Sequence, residues 1–205
     1  MTNVSKWRKW GYNDTMIVGQ KFFNKPTVDL AKALLGKYLV FGDLRGKIVE
    51  TEAYLYRDDP GCHASRGLTP RNTPMFGPAG FTYVYFIYGM YYCLNIVGGK
   101  IGEGEAVLIR ALEPIEGIEV MQKRRKTNKI ENLCSGPGKL TQAFGITKEQ
   151  NNLSLLTGDL QIHNSRERPE IAVSRRVGLS AGQELELRFF IKGNRFVSRF
   201  EKPFR

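Results

Sequence analysis

The feature that most constrains the fold of this chain is a long stretch without charge. Residues 72–99 contain no Asp, Glu, Lys or Arg, and a helix of that length could span a bilayer. The stretch is interrupted by Pro74, Gly77, Pro78, Gly80 and Gly89. Its second half, TYVYFIYGMYYCLN, has a period close to 2, which indicates strands. We therefore predict a buried β-hairpin that turns at Tyr88-Gly89-Met90, where glycine permits a positive φ.

Alternation of side chains predicts which residues of this hairpin share a face. Tyr83 and Tyr85 point to one side of the first strand, and Cys93 and Asn95 share a side of the second. A tight turn would bring Tyr85 near Asn95 and leave Tyr88 at the tip. A large exposed aromatic ring is unfavourable in water. Two interpretations stay open: the ring is a wedge that enters a stack of nucleic-acid bases, or the tip folds back onto the protein's own surface.

The charge of the chain indicates a polyanionic partner. Its 205 residues suffice for one sizeable core, and 31 Lys and Arg against 20 Asp and Glu give a net charge of +11. Such a surplus favours nucleic acid or an anionic membrane surface. The three cysteines have no C-x-x-C spacing and only two histidines are present, so we expect neither a disulfide framework nor a zinc site.

The remaining pattern predicts a mixed α+β fold with a largely antiparallel sheet in one domain. Residues 56–80 read as a long loop, which in a compact domain is usually functional. Helices are predicted at 27–35, capped by Thr27, at 114–126 and from 138 onward. Strands are predicted at 38–41, 47–54, 105–114, 160–163, 171–174, 185–192 and 195–200, with a turn at 42–46.

Two carboxylates lie on one predicted strand face. In KIVETEAY, Glu50 and Glu52 alternate with Ile48 and Tyr54 on the same side. A carboxylate on a buried face is a candidate general base, because burial without partners is costly. The alternative is that Glu50 and Glu52 pair with Lys or Arg on a solvated face. His63, in the loop that follows, could add a hydrogen bond.

Two basic side chains are candidates for phosphate contacts. Arg71 lies in the loop motif TPRN, where it suits a phosphate or the loop's own turns. Lys139 lies in SGPGKL, which lacks the G-x-x-x-x-G-K-[ST] spacing of a nucleotide-hydrolysing phosphate loop. A helix that begins there could still bind a backbone phosphate.

Several motifs together resemble one family. The segments VETEAY, CHASRG, TPRN, YVYFIYGMYYCLN, IRALEP and CSGPGKL occur in the order seen in the alkyladenine (methylpurine) DNA glycosylases, and the similarity covers roughly residues 20–200. The resemblance implies one glycosylase domain over residues 1–205. It also implies a curved antiparallel sheet with flanking helices and a protruding β-hairpin that inserts into DNA.

The resemblance also implies roles for individual side chains. It makes Glu52 the general base and places Arg110 near the catalytic water, while Glu50 has no catalytic role. The pocket for the extruded base would comprise Tyr54, His63, Tyr85 and Asn95. The DNA contacts would comprise the intercalating Tyr88, its neighbours Met90 and Tyr91, and the basic Arg71 and Lys139.

The implied activity is base-excision repair. A monofunctional enzyme would flip an alkylated or deaminated purine from duplex DNA and hydrolyse its N-glycosidic bond, leaving an abasic site without using a metal or cofactor. The implied protein is a bacterial monomer in the cytoplasm, at the nucleoid, that binds damaged double-stranded DNA and no membrane. A non-catalytic nucleic-acid-binding module remains an alternative. The set Glu52, His63 and Arg110 favours the enzyme.

Overall fold

The computed structural model describes residues 16–198. Within this range four helices and eight strands are present. The helices are α1 (Gln20–Phe23), α2 (Thr27–Leu34), α3 (Ile118–Arg125) and α4 (Pro137–Phe144). The strands are β1 (Tyr38–Phe41), β2 (Leu44–Tyr54), β3 (Thr82–Ile87), β4 (Tyr91–Val97), β5 (Ala106–Glu116), β6 (Leu160–His163), β7 (Ile171–Ser174) and β8 (Arg188–Ile191). Short 3₁₀ turns occur at Thr73–Phe76, Ile130–Asn132 and Lys148–Gln150.

Strand β2 organises the sheet. The order is β3-β4-β5-β2-β1-β6, and β8 pairs with both β2 and β7. One edge of β2 pairs with β5, whereas the other edge pairs first with β1 and then, from Glu50 to Glu52, with β8. Register shifts interrupt the β2–β5 ladder near Glu50, and such bulges bend and twist a strand. Every pairing is antiparallel and the sheet is curled, so the predicted mixed α+β fold with a curved antiparallel sheet is confirmed.

Helix α2 covers part of the sheet. Its buried residues Leu30, Ala31 and Leu34 follow helical spacing and join the main core beside Ile48 of β2. Thr51 donates its hydroxyl to the carbonyl of Ala31 at 2.9 Å, which fixes the helix against the strand that carries both carboxylates. No helix within residues 16–198 is long and apolar enough to cross a membrane.

Strand β5 corrects one sequence prediction. The helix predicted at 114–126 is present as α3, but its predicted start at Pro114 is wrong, because β5 continues to Glu116 and α3 begins only after Gly117, whose φ is +75°. Pro114 lies opposite Gly46, next to a register shift in the ladder. A strand tolerates proline at such an irregularity, since the missing N–H is not required there.

Other boundaries differ locally. Thr27 does not cap α2 but is its first residue, and its hydroxyl donates to a carboxylate oxygen of Glu105. The turn before β2 is short, because β2 already begins at Leu44. The last two predicted strands are also affected: β8 spans only residues 188–191, and residues 195–198 form turns and irregular backbone. The rest of that final predicted strand lies outside the described residues.

Candidate active site

Strands β3 and β4 form the aromatic hairpin in the predicted place. Tyr83 pairs with Asn95 and Tyr85 with Cys93, so Tyr85 lies diagonally across from Asn95 on the same face. Asn95 is buried, and its side-chain amide donates to the carbonyl of Tyr83 at 3.0 Å. Its position is therefore fixed by the strand pair itself.

The structure brings the four predicted pocket residues together around one small cavity. The cavity encloses about 20 Å³, room for roughly one water molecule. Its lining consists of Tyr54, His63, Met75, Tyr83, Tyr85 and Asn95. Met75 and Tyr83 were missed by sequence reasoning. The alternation that selected Tyr85 also selects Tyr83, whereas no sequence signal distinguishes Met75 from other apolar residues.

Neutral rings line this cavity at neutral pH. The Nδ1 atom of His63 lies 3.0 Å from the hydroxyl of Tyr83, and the His63 ring meets the Tyr85 ring edge-on with centroids 4.6 Å apart. Burial, together with the nearby charge of Arg71, lowers the pKa of His63. Burial raises the pKa of Tyr83 to about 12 and also raises that of Tyr85. A flat aromatic guest would therefore meet uncharged π-faces.

Glu52 is adjacent to the cavity through Tyr54. Its carboxylate is fully buried, and Oε2 accepts a hydrogen bond from the Tyr54 hydroxyl at 2.9 Å. Oε1 accepts from the backbone N–H of Val177 at 2.8 Å and lies 3.3 Å from Nη1 of Arg110. Burial and the Glu52 charge raise the pKa of Tyr54 well above its ordinary value, so its hydroxyl remains protonated and donates.

Glu50 belongs to a neighbouring buried ion cluster. Its Oε1 accepts from Nε of Arg110 at 3.0 Å and from Nε of Arg188 at 2.7 Å, while Oε2 accepts from the backbone N–H of Ser198 at 2.7 Å. Burial alone would lower the Arg110 pKa, but Glu52 and Glu50 outweigh it and raise that pKa. The predicted alternative of a solvated face is wrong, because both carboxylates are fully buried. Glu50 holds Arg110 in place, and Arg110 bridges the two carboxylates.

The tip of the hairpin is strained and exposed. Tyr88 has a φ of +54° and Gly89 of +66°, as in a type I′ turn. Tyrosine rarely adopts this region, and such strain tends to occur at functional sites. The Tyr88 side chain is 77% exposed and Met90 is 64% exposed, so the tip does not fold back onto the protein. Tyr91 instead packs its ring against Gly138 at the start of α4.

The two basic side chains that were predicted to contact phosphate, Arg71 and Lys139, differ in their surroundings. Arg71 is exposed, but its Nη2 donates to the carbonyl of Phe86 at 3.0 Å and its guanidinium lies over the Tyr85 ring. It therefore supports the outer side of the hairpin. Lys139 lies in the first turn of α4 and is half-buried.

Part of the basic cluster of residues 123–126 serves the fold. Arg124 donates to the carbonyl of Ala143 at 3.1 Å, and Arg125 donates to that of Leu133 at 3.2 Å. Only Lys123 and Lys126 of this cluster extend freely from the surface as exposed lysines.

The cysteines that the structure describes, Cys62, Cys93 and Cys134, are buried free thiols. Within residues 16–198 no cluster of His, Cys, Asp and Glu is arranged to hold a metal ion.

This combination defines a class of protein: a curled α+β domain scaffold with an aromatic cavity beside a buried carboxylate–arginine pair. Comparison with known proteins identifies the family. Residues 21–195 match the methylpurine-DNA glycosylase family, and the chain belongs to it.

A relative from Methanoculleus marisnigri is 50% identical over 192 residues, which cover 90% of this chain and all of the relative. A relative from Francisella tularensis is 50% identical over 182 residues, 84% of this chain and 94% of the relative. One from Carboxydothermus hydrogenoformans is 46% identical over 192 residues, 90% of this chain and all of the relative. All three bear the name "Putative 3-methyladenine DNA glycosylase".

Proposed function

We propose that this protein is a base-excision repair glycosylase that extrudes an alkylated or deaminated purine from duplex DNA and hydrolyses its N-glycosidic bond. The observation that carries the proposal is the direct link between the aromatic cavity and the buried carboxylate, through the hydrogen bond from Tyr54 to Glu52. The names of the relatives support the same substrate class. A site for a flat base and a group able to activate water are thus contiguous.

Extrusion is assigned to the hairpin tip. Flipping a nucleotide costs a few kcal/mol, and less when the base is damaged and pairs badly. The exposed Tyr88 ring would fill the gap left in the stack, with Met90 and Tyr91 alongside it on the DNA. Stacking on aromatic side chains returns about 1–3 kcal/mol per base. Arg71, Lys139 and the exposed lysines of residues 123–126 would bind backbone phosphates, which makes affinity depend on salt.

The flipped base would lie between Tyr54 and Tyr85, beside His63. Many alkylated purines are cationic, and a positive ring between neutral phenols gains a cation–π contribution. Asn95 at the wall would clash with the exocyclic amino group of normal guanine, and its hydrogen bond to Tyr83 prevents it from moving aside. The cavity of the free protein is small, and Tyr54 and Tyr85 would adjust to the two faces of the base as it inserts.

Glu52 would act as general base. Its carboxylate is fully buried in the free protein, so binding of the substrate would have to bring it into contact with water. Glu52 would then take a proton from a water molecule that attacks C1′ as the base departs, and its charge would stabilise the developing oxocarbenium character of the sugar. Arg110 would orient the water and the carboxylate. An alkylated purine is a good leaving group, so one carboxylate can suffice.

The product would be an abasic site. No lysine lines the cavity in the part of the chain that the structure describes, which supports a monofunctional enzyme without strand cleavage. We further propose one glycosylase domain over residues 1–205 that acts as a monomer, without a cofactor, in the bacterial cytoplasm at the nucleoid.

The test is incubation with duplexes that each carry one modified purine, followed by detection of the released base. The wild-type protein should release at least one of them. Glu52→Gln should bind the same duplex but release no base, whereas Glu113→Gln, on the neighbouring strand β5, should retain activity. Normal release by Glu52→Gln would remove Glu52 from its role. Binding without release by the wild type would favour the non-catalytic module.

A further inference from the structure

A second buried ion pair lies behind the pocket, separate from the Glu50 cluster. The guanidinium of Arg176 contacts both carboxylate oxygens of Asp59, at 2.6 and 2.5 Å. Arg176 is 4% exposed and Asp59 is 2% exposed. Removing two charges from water is expensive, and a buried pair is weak evidence for stability. Its contacts therefore suggest another use.

The pair joins four segments of the chain at one point. Arg176 also donates to the carbonyls of Ala53, at the end of β2, and of Gly182, at 3.0 and 3.3 Å. Asp59 in turn accepts from the backbone N–H groups of Leu55 and Gly61, both at 3.0 Å. A side chain at Gly61 or Gly182 would approach the Arg176 guanidinium to within about 3.2 Å. These glycines keep the space that the arginine occupies.

Two of these contacts lead to the proposed base and its pocket. The Arg176 guanidinium lies 4.6 Å from the centroid of the Tyr54 ring, so it covers part of that ring. The next residue, Val177, donates its N–H to Oε1 of Glu52, while the Tyr54 hydroxyl donates to Oε2. Arg176 thus anchors the segment whose N–H orients Oε1 of Glu52, and it covers the ring whose hydroxyl orients Oε2.

We propose that Arg176 and Asp59 are positioning residues of the glycosylase site. Together they fix the plane of Tyr54 and the backbone of Val177, so that Glu52 is held for reaction when the base inserts. The inference rests on the proposed function. Its consequence is that disturbing the pair should lower the rate of the chemical step more than the affinity for DNA, since small displacements of reacting groups reduce rates strongly.

The experiment compares Arg176→Lys with a matched control, Arg45→Lys. Arg45 is also fully buried and also stacks on a tyrosine, with its guanidinium 3.8 Å from the Tyr38 centroid. It lies at the other end of β2, about 30 Å from Tyr54 along the strand. Arg176→Lys should lower single-turnover base release about 10- to 100-fold with little change in DNA affinity. The two variants are compared at a temperature at which their folded fractions are equal. Under that condition Arg45→Lys should release base at the wild-type rate. Equal rates in the two variants would overturn the proposal.

Two further measurements test the positioning role of the pair independently. Asp59→Asn should slow release in the same direction, and the double variant with Arg176→Lys should be no slower than the slower single variant, because the two residues act as a unit. Multiplying effects would show that they act separately. A readout without catalysis is the ¹³Cζ resonance of labelled Tyr54, assigned with Tyr54→Phe. It should shift in Arg176→Lys and not in Arg45→Lys. An unshifted resonance would overturn the proposal even if the wild type released no base.

Discussion

The hydroxyl of Tyr54 donates a hydrogen bond to Oε2 of Glu52, two residues earlier on the same strand, at 2.9 Å. In a β-strand residues i and i+2 share a face, so this contact is a local consequence of the sequence ETEAY. The ring of Tyr54 lines the aromatic cavity, while its hydroxyl contacts the proposed general base. In the proposed function, one residue therefore connects binding of the base with the chemical step.

Tyr54→Phe should separate these two roles. The ring and its stacking remain, but buried Glu52 loses a hydrogen-bond donor, which costs about 1–3 kcal/mol. We expect nearly unchanged affinity for duplex DNA, a lower unfolding free energy and slower single-turnover base release. Tyr56→Phe, two residues further along and outside the cavity lining, is the control. Release by Tyr54→Phe at the wild-type rate would show that the hydroxyl does not hold Glu52 for reaction.

Tyr88→Asn should weaken DNA binding without destabilising the protein. Tyr88 has a φ of +54°, a conformation that asparagine adopts more readily, and its exposed ring leaves no core contact to lose. We expect an unchanged or higher melting temperature. Affinity for damaged duplex should fall more than affinity for single strands, as filter binding or fluorescence anisotropy would measure. Tyr88→Phe, which keeps the ring, should bind like the wild type. Equal losses on duplex and single strands would contradict a wedge.

Gly138→Ala should destabilise the attachment of the hairpin to α4. A Cβ atom at Gly138 would lie 2.8 Å from Cγ of Tyr91, so the ring or the helix must move. Overpacking of this kind costs about 1–3 kcal/mol, measurable by urea denaturation. Gly19→Ala is the matched control, since no atom lies within 4 Å of a Cβ there and its φ is −82°. A midpoint for Gly138→Ala equal to that of Gly19→Ala would refute the close contact.

His163 should make stability depend on pH. Burial and the neighbouring Arg45 charge lower its pKa to about 4 in the folded protein, against about 6.5 in an unfolded chain. The unfolded state therefore binds more protons between these values, so this contribution is complete above pH 6.5 and is lost as pH falls toward 4. It amounts to about 3 kcal/mol. The unfolding free energy of His163→Gln should fall less steeply over that window, and parallel curves for variant and wild type would contradict the assignment.

The sequence alone determined the local structure around the site. Alternation and the Tyr88-Gly89 turn predicted the hairpin, because strand faces and turns depend on neighbouring residues. The same alternation placed Glu50, Glu52 and Tyr54 on one side of β2. The family motifs added the pocket residues. These residues lie around one cavity because β3 pairs with β4 and because the loop that carries His63 packs against that strand pair.

Only the tertiary structure decided how the charges are compensated. Glu50 binds Arg110 and Arg188, and Asp59 binds Arg176, across separations of 60 to 138 residues. Periodicity carries no information about such pairs. The sequence pattern of a strand with carboxylates on one face is the same whether arginines or water molecules contact that face. The partners are chosen when β5, β8 and the segment after β7 close around β2. Burial then requires these carboxylates to meet opposite charges, because an unpaired carboxylate in the interior is too costly to keep.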